Sequence, residues 1–164
     1  MASAIHNRRA ASLPKNDFPK KVAAVCYRRE GESIEFLLVK TGSGRWTFPK
    51  GTVERHLGPR HSAALEAREE AGVVGRISNE HFTIYFQDNR DTYRAAEREI
   101  AIAAFLMHVR EMTEPEEGRR NPTWFRPQEA KRRLSMRRRP KFQREFARVV
   151  DQAVEMLGRK RRTA

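Results

Sequence analysis

Three glutamates on one predicted helix are the residues whose type and spacing could do chemistry. They are Glu66, Glu69 and Glu70, and spacings of three and four residues place side chains on one face of a helix. Three like charges on one stripe repel one another unless a cation lies among them. Mg²⁺ and Mn²⁺ prefer oxygen ligands, so the spacing favours a site for one of these ions. The alternative is a solvated face of an ordinary surface helix.

The segments around these glutamates contain residues that could position them. The segment FPKG at 48–51 ends in a glycine, which lets backbone approach an ion closely. Pro59 predicts a helix that begins near residue 60, and Gly72 predicts its end. The opposite side of the helix is made of small residues, which predicts close packing against a sheet. These residues are Ala63, Ala64, Ala67 and Ala71.

The segment from Gly51 to Val73 resembles the Nudix box, written as Gly, five residues, Glu, seven residues, Arg-Glu-apolar-any-Glu-Glu-any-Gly-apolar. The residues in register are Gly51, Glu66, Ala67, Glu69, Glu70, Gly72 and Val73. FPKG and the pair Trp124-Phe125 before a short helix are also similar to that family, and the resemblance covers roughly residues 20–157. It implies an α/β fold, the Nudix-type α/β/α sandwich around a mixed β-sheet. It also implies metal-dependent hydrolysis of a phosphoanhydride bond.

Two positions depart from the box. Leu57 lies where the first Glu is expected, and Leu65 lies where the Arg is expected. In the family these two residues mainly support the loop and orient the glutamates. Two leucines can keep such a loop packed, because apolar replacement of a buried ion pair is often neutral or better. Related hydrolases of diphosphoinositol polyphosphates and diadenosine polyphosphates also have an apolar residue at the Arg position.

The resemblance implies roles for individual residues. Glu69 and Glu70 are the predicted metal ligands, and Glu66 is the predicted general base or a further ligand. The backbone carbonyl of Lys50 is an additional candidate ligand. Relatives often recruit one more carboxylate from the loop before the last strand, for which we favour Glu117. A plain surface acid is the alternative for that residue.

Three cations are candidates for binding substrate phosphates. They are Arg45, Lys50 and Arg60, because arginine offers forked donors to phosphate and lysine offers a point charge. Each could instead be an ordinary surface charge. His56 and His61 flank the same loop, but without cysteine partners they make a poor zinc signature.

The composition is that of one globular domain of 164 residues, with 38% hydrophobic and 34% charged residues. We expect a flexible segment over residues 1–19, a domain over 20–157 and a basic tail over 158–164. No apolar run approaches the roughly 20 residues of a membrane-spanning helix, and no secretory signal is expected. The one cysteine, Cys26, lies in an apolar run and predicts a buried thiol. The expected location is cytoplasmic.

The net charge of +13 is concentrated at one end of the chain. Residues 119–164 contain 16 Lys or Arg and 4 Asp or Glu, a net charge of +12. Such a field attracts polyanions. The expected partner is a small phosphorylated substrate, and nucleic acid bound through this basic region is a second possibility.

The pattern of apolar residues predicts the elements of a mixed fold. Strands are expected over 22–27, 34–39, 46–48, 73–74, 82–86, 100–109 and 122–125. A short helix is expected from Pro127 and a long one over 140–157. The buried face of the long helix is predicted from helical spacing. Its members are Phe142, Phe146, Val149, Val150, Ala153 and Leu157.

Two functions from different classes remain open. The first is a hydrolase that uses Mg²⁺ or Mn²⁺ and cleaves a nucleoside diphosphate linked to another group, or a diadenosine or diphosphoinositol polyphosphate. The second is a module of the same fold that has lost turnover and binds a nucleotide or RNA. The loops at 42–46 and 87–98 are the predicted sources of specificity. The sequence does not indicate an oligomeric state.

Overall fold

The computed structural model describes residues 17–89 and 99–162. Within these two ranges the chain forms eight strands and three helices. In chain order they are β1 (Lys21–Glu30), β2 (Ser33–Lys40), β3 (Trp46–Thr47), β4 (Lys50–Thr52), α1 (Gly58–Ala71), β5 (Val73–Ile77), β6 (Thr83–Asp88), β7 (Glu99–Met112), β8 (Thr123–Phe125), α2 (Pro127–Ser135) and α3 (Pro140–Arg162). The sequence predicted each of these except β4.

The two longest strands, β1 and β7, pair in parallel at the centre of the sheet, with Tyr27 opposite His108. The other edge of β1 is shared by two antiparallel strands. β2 pairs with the end of β1, and β4 pairs with its beginning, where Ala23 lies opposite Lys50. β6 and β5 divide the far edge of β7 in the same way. Because β4 pairs with β1, the glycine loop, which begins at Lys50 and Gly51, starts beside a central strand of the sheet.

The sheet separates two apolar layers. Alternate residues of β1 face opposite sides, as strand geometry requires. Ala23 and Val25 belong to the layer that includes α2 and α3, and Val22 and Ala24 belong to the layer that includes α1. All six residues predicted for the inner face of α3 are buried, and all of them except Phe142 belong to the first layer. The mixed sheet between two helical layers confirms the predicted α/β/α sandwich.

Helix α1 is fixed at both ends by glycines in left-handed conformation. Gly58 has φ +73° at the start, and Pro59 follows it in the first turn. Gly72 has φ +66° and donates its N–H to the carbonyl of Arg68 at 2.9 Å. A Cβ at Gly72 would lie 2.2 Å from the Thr113 carbonyl oxygen, so β7 ends directly against this helix end. Three alanines hold α1 on the sheet, and all are fully buried: Ala63, Ala67 and Ala71.

Helix α3 extends further than the sequence predicted. A basic tail was expected from residue 158, but the helix continues to Arg162. Lysine and arginine are good helix formers and interact favourably with the carbonyl end of a helix, so Gly158 does not end it. In the part of the chain that the structure describes, no helix is both long and apolar enough to span a membrane. Cys26 is fully buried, and burial raises the pKa of its thiol, as expected of an unreactive cysteine.

Candidate active site

Gly51 lies directly against the carboxylate of Glu66 of α1. A Cβ placed on Gly51 would lie 2.0 Å from Oε1 of Glu66, so the carboxylate would have to move to make room for it. The absence of a side chain at Gly51 therefore lets the Glu66 carboxylate rest on the backbone of β4. This contact joins the two parts of the motif that the sequence placed fifteen residues apart.

Glu70 lies one turn further along α1 and is only 4% exposed. Its Oε2 accepts a hydrogen bond from the backbone N–H of Lys50 at 3.3 Å. Its Oε1 lies 3.6 Å from Nη2 of Arg120. Burial raises the pKa of Glu70, and the charges of Arg120 and Lys50 oppose that rise. Each carboxylate oxygen of Glu70 therefore has a partner within the protein, although the side chain is buried.

A second loop brings Glu117 to the end of the same helix. The N–H of Glu117 donates to the backbone carbonyl of Glu69 at 3.0 Å, and Nε of Arg120 donates to Oε2 of Glu117 at 2.6 Å. The four acids influence one another. The pKa of Glu66 rises to about 7, first because of burial and then because of Glu70, Glu69 and Glu117. The structure thus gathers all four predicted carboxylates in one neighbourhood.

The donors in this neighbourhood suit a hard divalent cation. Carboxylate oxygens and a backbone carbonyl are the ligands that Mg²⁺ and Mn²⁺ take. Burial is the first cause of the raised pKa of Glu66 and the neighbouring acids are the second, so a cation here would relieve repulsion among these carboxylates. Among the described residues, no three His, Cys, Asp or Glu side chains already form a metal cage. Arg120 instead supplies the positive charge between Glu70 and Glu117. The chemistry of the donors fits a metal, and binding would require these ion pairs to rearrange.

A cavity of about 730 Å³ opens beside the carboxylates. Among the described residues, four cations line it, together with polar residues of the 41–43 loop and of the end of β6. The cations are Lys21, Arg45, Lys50 and Arg120. The volume is within the range of small-molecule sites, and the charge suits an anion.

Two buried polar atoms of this cavity region are unsatisfied. Arg45 is paired with Asp88 at 3.3 Å, and its side chain is only 10% exposed. Nε of Arg45 and Oε1 of Gln87 are buried without a hydrogen-bond partner among the described residues. Buried polar groups normally have partners, so such atoms indicate a place where a ligand completes the network.

Lys50 is the second cation that the sequence placed at the phosphates. Its Nζ donates to Oγ1 of Thr47 at 3.1 Å. Burial lowers the pKa of Lys50 to about 8, the charge of Glu70 opposes this shift, and three nearby arginines add to it. Lys50 therefore carries its charge in a recess that is already positive, where an anionic ligand would be favoured.

Arg60 lies outside this cavity, contrary to its predicted position at the phosphates. Its Nη2 donates to the carbonyl of Ile77 at 3.2 Å, and its side chain lines a different cavity. The reason is helical geometry, because six residues separate it from Glu66, about 1.7 turns, and place the two side chains on different faces. His56 and His61 are exposed.

Two residues that matter here were not identified from the sequence. Arg120 was read only as part of a basic segment, although it bridges two carboxylates. Ser62 fixes the loop, since its Oγ donates to the Gly58 carbonyl at 2.6 Å and accepts from the Glu54 N–H at 2.8 Å. Leu57 and Leu65 are only partly buried. In the described structure the Ser62 hydroxyl connects the loop at Glu54 to α1. This connection does not need the Glu and Arg that the motif has at the positions of Leu57 and Leu65.

Comparison with known proteins gives one family. The model described as NUDIX domain matches residues 17–148. Diphosphoinositol polyphosphate phosphohydrolase 3-alpha of Mus musculus is 32% identical over 119 residues, which cover 69% of this chain and 67% of that protein. Diphosphoinositol polyphosphate phosphohydrolase 2 of Rattus norvegicus is 40% identical over 65 residues, or 38% of this chain and 36% of that protein.

Solved structures show the same fold. A binary complex of Caenorhabditis elegans Ap4A hydrolase superposes with a TM-score of 0.65 at 18% identity, covering 86% of this chain and 98% of that one. The NUDIX domain of Shewanella oneidensis NrtR, complexed with ADP ribose, gives a TM-score of 0.60 at 16% identity, with coverage of 90% and 95%. At these identities the likeness concerns the fold.

Proposed function

The chain belongs to the NUDIX domain family of pyrophosphohydrolases, and on that premise we propose that it is a hydrolase dependent on Mg²⁺ or Mn²⁺. The bond cleaved is a phosphoanhydride in a nucleoside diphosphate linked to another group, or in another polyphosphorylated compound. The observation that carries this proposal is the contact of the Glu66 carboxylate with Gly51, beside buried Glu70 and a cation-rich cavity.

The carboxylates divide into ligands and a base. Glu69 and Glu70 would hold the metal, assisted by Glu66, Glu117 and the backbone carbonyl of Lys50. When bound, a divalent cation supplies charge neutralisation for the phosphates and lowers the pKa of water. Glu66 is the favoured proton acceptor, because a carboxylate close to the metal can take a proton from bound water.

The cavity residues would position the phosphates. Arg45 offers a forked, largely buried guanidinium, and Lys50 offers a point charge next to the glycine loop. Arg120 would also be free to bind phosphate once Glu70 and Glu117 coordinate the metal instead of pairing with Arg120. This density of positive charge favours highly charged substrates. Diphosphoinositol polyphosphates and diadenosine polyphosphates are therefore the substrates we rank first, in agreement with the names of the relatives.

A substrate panel tests the proposal. The purified chain is incubated in Mn²⁺ with dinucleoside polyphosphates, nucleotide sugars, nucleoside triphosphates and diphosphoinositol polyphosphates. Glu69→Gln and Glu70→Gln should abolish turnover of whichever compound is cleaved. Glu80→Gln is the matched control, because Glu80 is exposed outside the carboxylate cluster and the charge change is the same. The absence of cleavage across the panel would contradict the proposal. The cytoplasmic location stays a prediction, which fractionation of cells that express the protein would check.

A binding module without turnover is the second candidate. The observation that favours it is Arg120, which already neutralises Glu70 and Glu117, together with the leucines at two positions of the box. Titration calorimetry separates the two functions. Tight nucleotide binding with no product after long incubation supports the module, and release of two phosphorylated products excludes it. RNA as the ligand would show affinity that falls steeply with salt.

A further inference from the structure

A second basic cavity lies on the molecule away from the carboxylates. It has a volume of about 500 Å³, and the described residues that line it are all different from those of the first cavity. Its cations come from four different elements. They are Arg60 of α1, Arg76 of β5, Arg110 of β7 and Lys160 of α3. No Asp or Glu is among the described residues that line it. We call it the basic cavity.

The sheet brings two of these cations to the same recess. His108 lies opposite Tyr27 of β1 on one side and opposite Arg76 of β5 on the other. Cross-strand neighbours have Cβ atoms about 5 Å apart, so the side chains of Arg76 and His108 are neighbours. Arg110 follows two residues later on β7, where a β-bulge interrupts the pairing with β5, and it lines the same cavity as Arg76. The charges of both arginines act on Tyr27.

Within the described residues, two of these cations, Arg76 and Arg110, have no carboxylate at ion-pair distance. Arg60 gives Nη2 to the Ile77 carbonyl, but its Nε is buried without a hydrogen-bond partner in the described part of the chain. A cluster of like charges with an unsatisfied donor is unfavourable until an anion enters.

The same charges affect the aromatic pair beside them. Tyr27 and His108 are stacked, with ring centroids 4.9 Å apart. Burial raises the pKa of Tyr27, while Arg29, Arg110 and Arg76 oppose the rise. Burial lowers the pKa of His108, and Arg110 and Arg29 lower it further. The positive charges of the cavity therefore shift the pKa values of Tyr27 and His108, which both line it.

We propose that the basic cavity is a second ligand site, which binds a compact small molecule with several phosphate groups. Arginines dominate its lining, and their forked donors match phosphate oxygens. The volume suits a small molecule. Nucleic acid is a poorer fit, because the lining tyrosine is 8% exposed and stacked on His108, so it offers little surface to a base. This site does not depend on the proposed hydrolysis.

Inorganic tripolyphosphate is the probe, added to the 164-residue chain in EDTA so that metal takes no part. The first cavity is also cationic, so the two sites must be observed separately. Backbone amide resonances of Ser78 and Asn79 report on the basic cavity, and those of Gly42 and Gly51 report on the other. We expect saturable shifts at Ser78 and Asn79.

Charge-matched variants show whether binding is local. The double variant Arg76→Gln with Arg110→Gln should raise the dissociation constant read at Ser78 and Asn79 by about tenfold or more. Arg126→Gln with Arg144→Gln removes the same charge from exposed positions outside both cavities and should change it by less than about twofold. The single variant Arg110→Gln, at an exposed position, should raise the dissociation constant about threefold. It replaces the double variant in this test if the double variant folds poorly.

Three outcomes would overturn the proposal. They are equal weakening in both double variants, shifts confined to Gly42 and Gly51, and displacement of tripolyphosphate from Ser78 and Asn79 by a thymidylate oligomer that binds more tightly. Hydrolysis is measured separately on the same samples. A chain that binds tripolyphosphate at Ser78 and Asn79 but cleaves nothing would refute the proposed function and leave this site standing.

Discussion

The carboxylate of Glu66 occupies the space that a side chain at Gly51 would need, with 2.0 Å between Oε1 and the position of a Cβ. The end of a flexible side chain can move away at small cost, so Gly51→Ala should fold with nearly normal stability. It should nevertheless lose activity by about a hundredfold, because Glu66 would leave its catalytic position.

Melting temperature and turnover of Gly51→Ala, measured together, check this prediction. Gly158→Ala is the control, since Gly158 lies within α3 with nothing near its Cβ position. It should keep full activity and gain up to about 1 kcal/mol of stability. Normal turnover by Gly51→Ala would show that the Glu66 contact has no catalytic importance.

Glu66 should make the stability of the metal-free protein fall as pH rises. Its pKa is about 7 in the folded state against an ordinary value of 4.5, with burial as the first cause and the neighbouring acids as the second. The folded state therefore binds the proton more tightly than the unfolded chain. The stabilisation is complete below pH 4.5 and is lost as pH rises towards 7.

Melting curves in EDTA across this pH range compare wild type with Glu66→Gln. The stability of the variant relative to wild type should increase as pH rises, because the glutamine has no proton to lose. Glu80→Gln, at an exposed position outside the cluster, is the control and should show a smaller trend. A constant difference between wild type and Glu66→Gln would contradict the crowded environment described for this carboxylate.

Glu70 should carry the response to metal. Binding of Mg²⁺ or Mn²⁺ to the folded state alone raises the free energy of unfolding by roughly 2.7 kcal/mol at a hundredfold excess over the dissociation constant. Glu70→Gln should lose that gain. Its metal-free stability should stay within about 1 kcal/mol of wild type. Arg120 keeps its ion pair with Glu117, and the oxygen of the new amide can still accept the hydrogen bond from the Lys50 N–H. A full metal response in the variant, seen by calorimetry of unfolding, would place the cation elsewhere.

Arg45 should contribute to substrate binding through its shape as well as its charge. Arg45→Lys keeps the charge but loses the fork and the unsatisfied Nε, so we expect KM to rise about tenfold with kcat little changed. Steady-state kinetics on the best substrate of the panel provide the test. Arg126→Lys makes the same exchange at an exposed position and should leave both parameters unchanged. An unaltered KM for Arg45→Lys would remove this residue from the phosphate site.

The parts of the fold predicted from the sequence are those with local causes. Gly31, with φ +60°, turns the β1–β2 hairpin, and Gly72 ends α1. The alanine face of α1 and the apolar face of α3 follow from helical spacing alone. The carboxylate cluster was predictable for the same reason, since Glu66, Glu69 and Glu70 are separated by less than two turns of one helix.

The residues that sequence reasoning missed or misplaced depend on distant contacts. Arg120 meets Glu70 only because β7 ends against Gly72 and the following loop folds over the helix end. A serine inside a helix gives no sign that it accepts from a loop eight residues earlier, as Ser62 does. Arg60 is near Gly51 in sequence but faces away because of the helix rotation. Residues 90–98 of one predicted specificity loop lie outside the described residues.

Phosphorus NMR of a single reaction, recorded for wild type and Glu70→Gln side by side, tests metal-dependent hydrolysis most directly. The substrate is a diphosphoinositol polyphosphate or a diadenosine polyphosphate, in Mn²⁺ and again in EDTA. For wild type in Mn²⁺, we expect the resonances of the intact substrate to decrease while those of two phosphorus-containing products appear, with neither change in EDTA or in the variant. Resonances that stay unchanged with wild type in Mn²⁺, or equal cleavage by Glu70→Gln, would contradict this expectation.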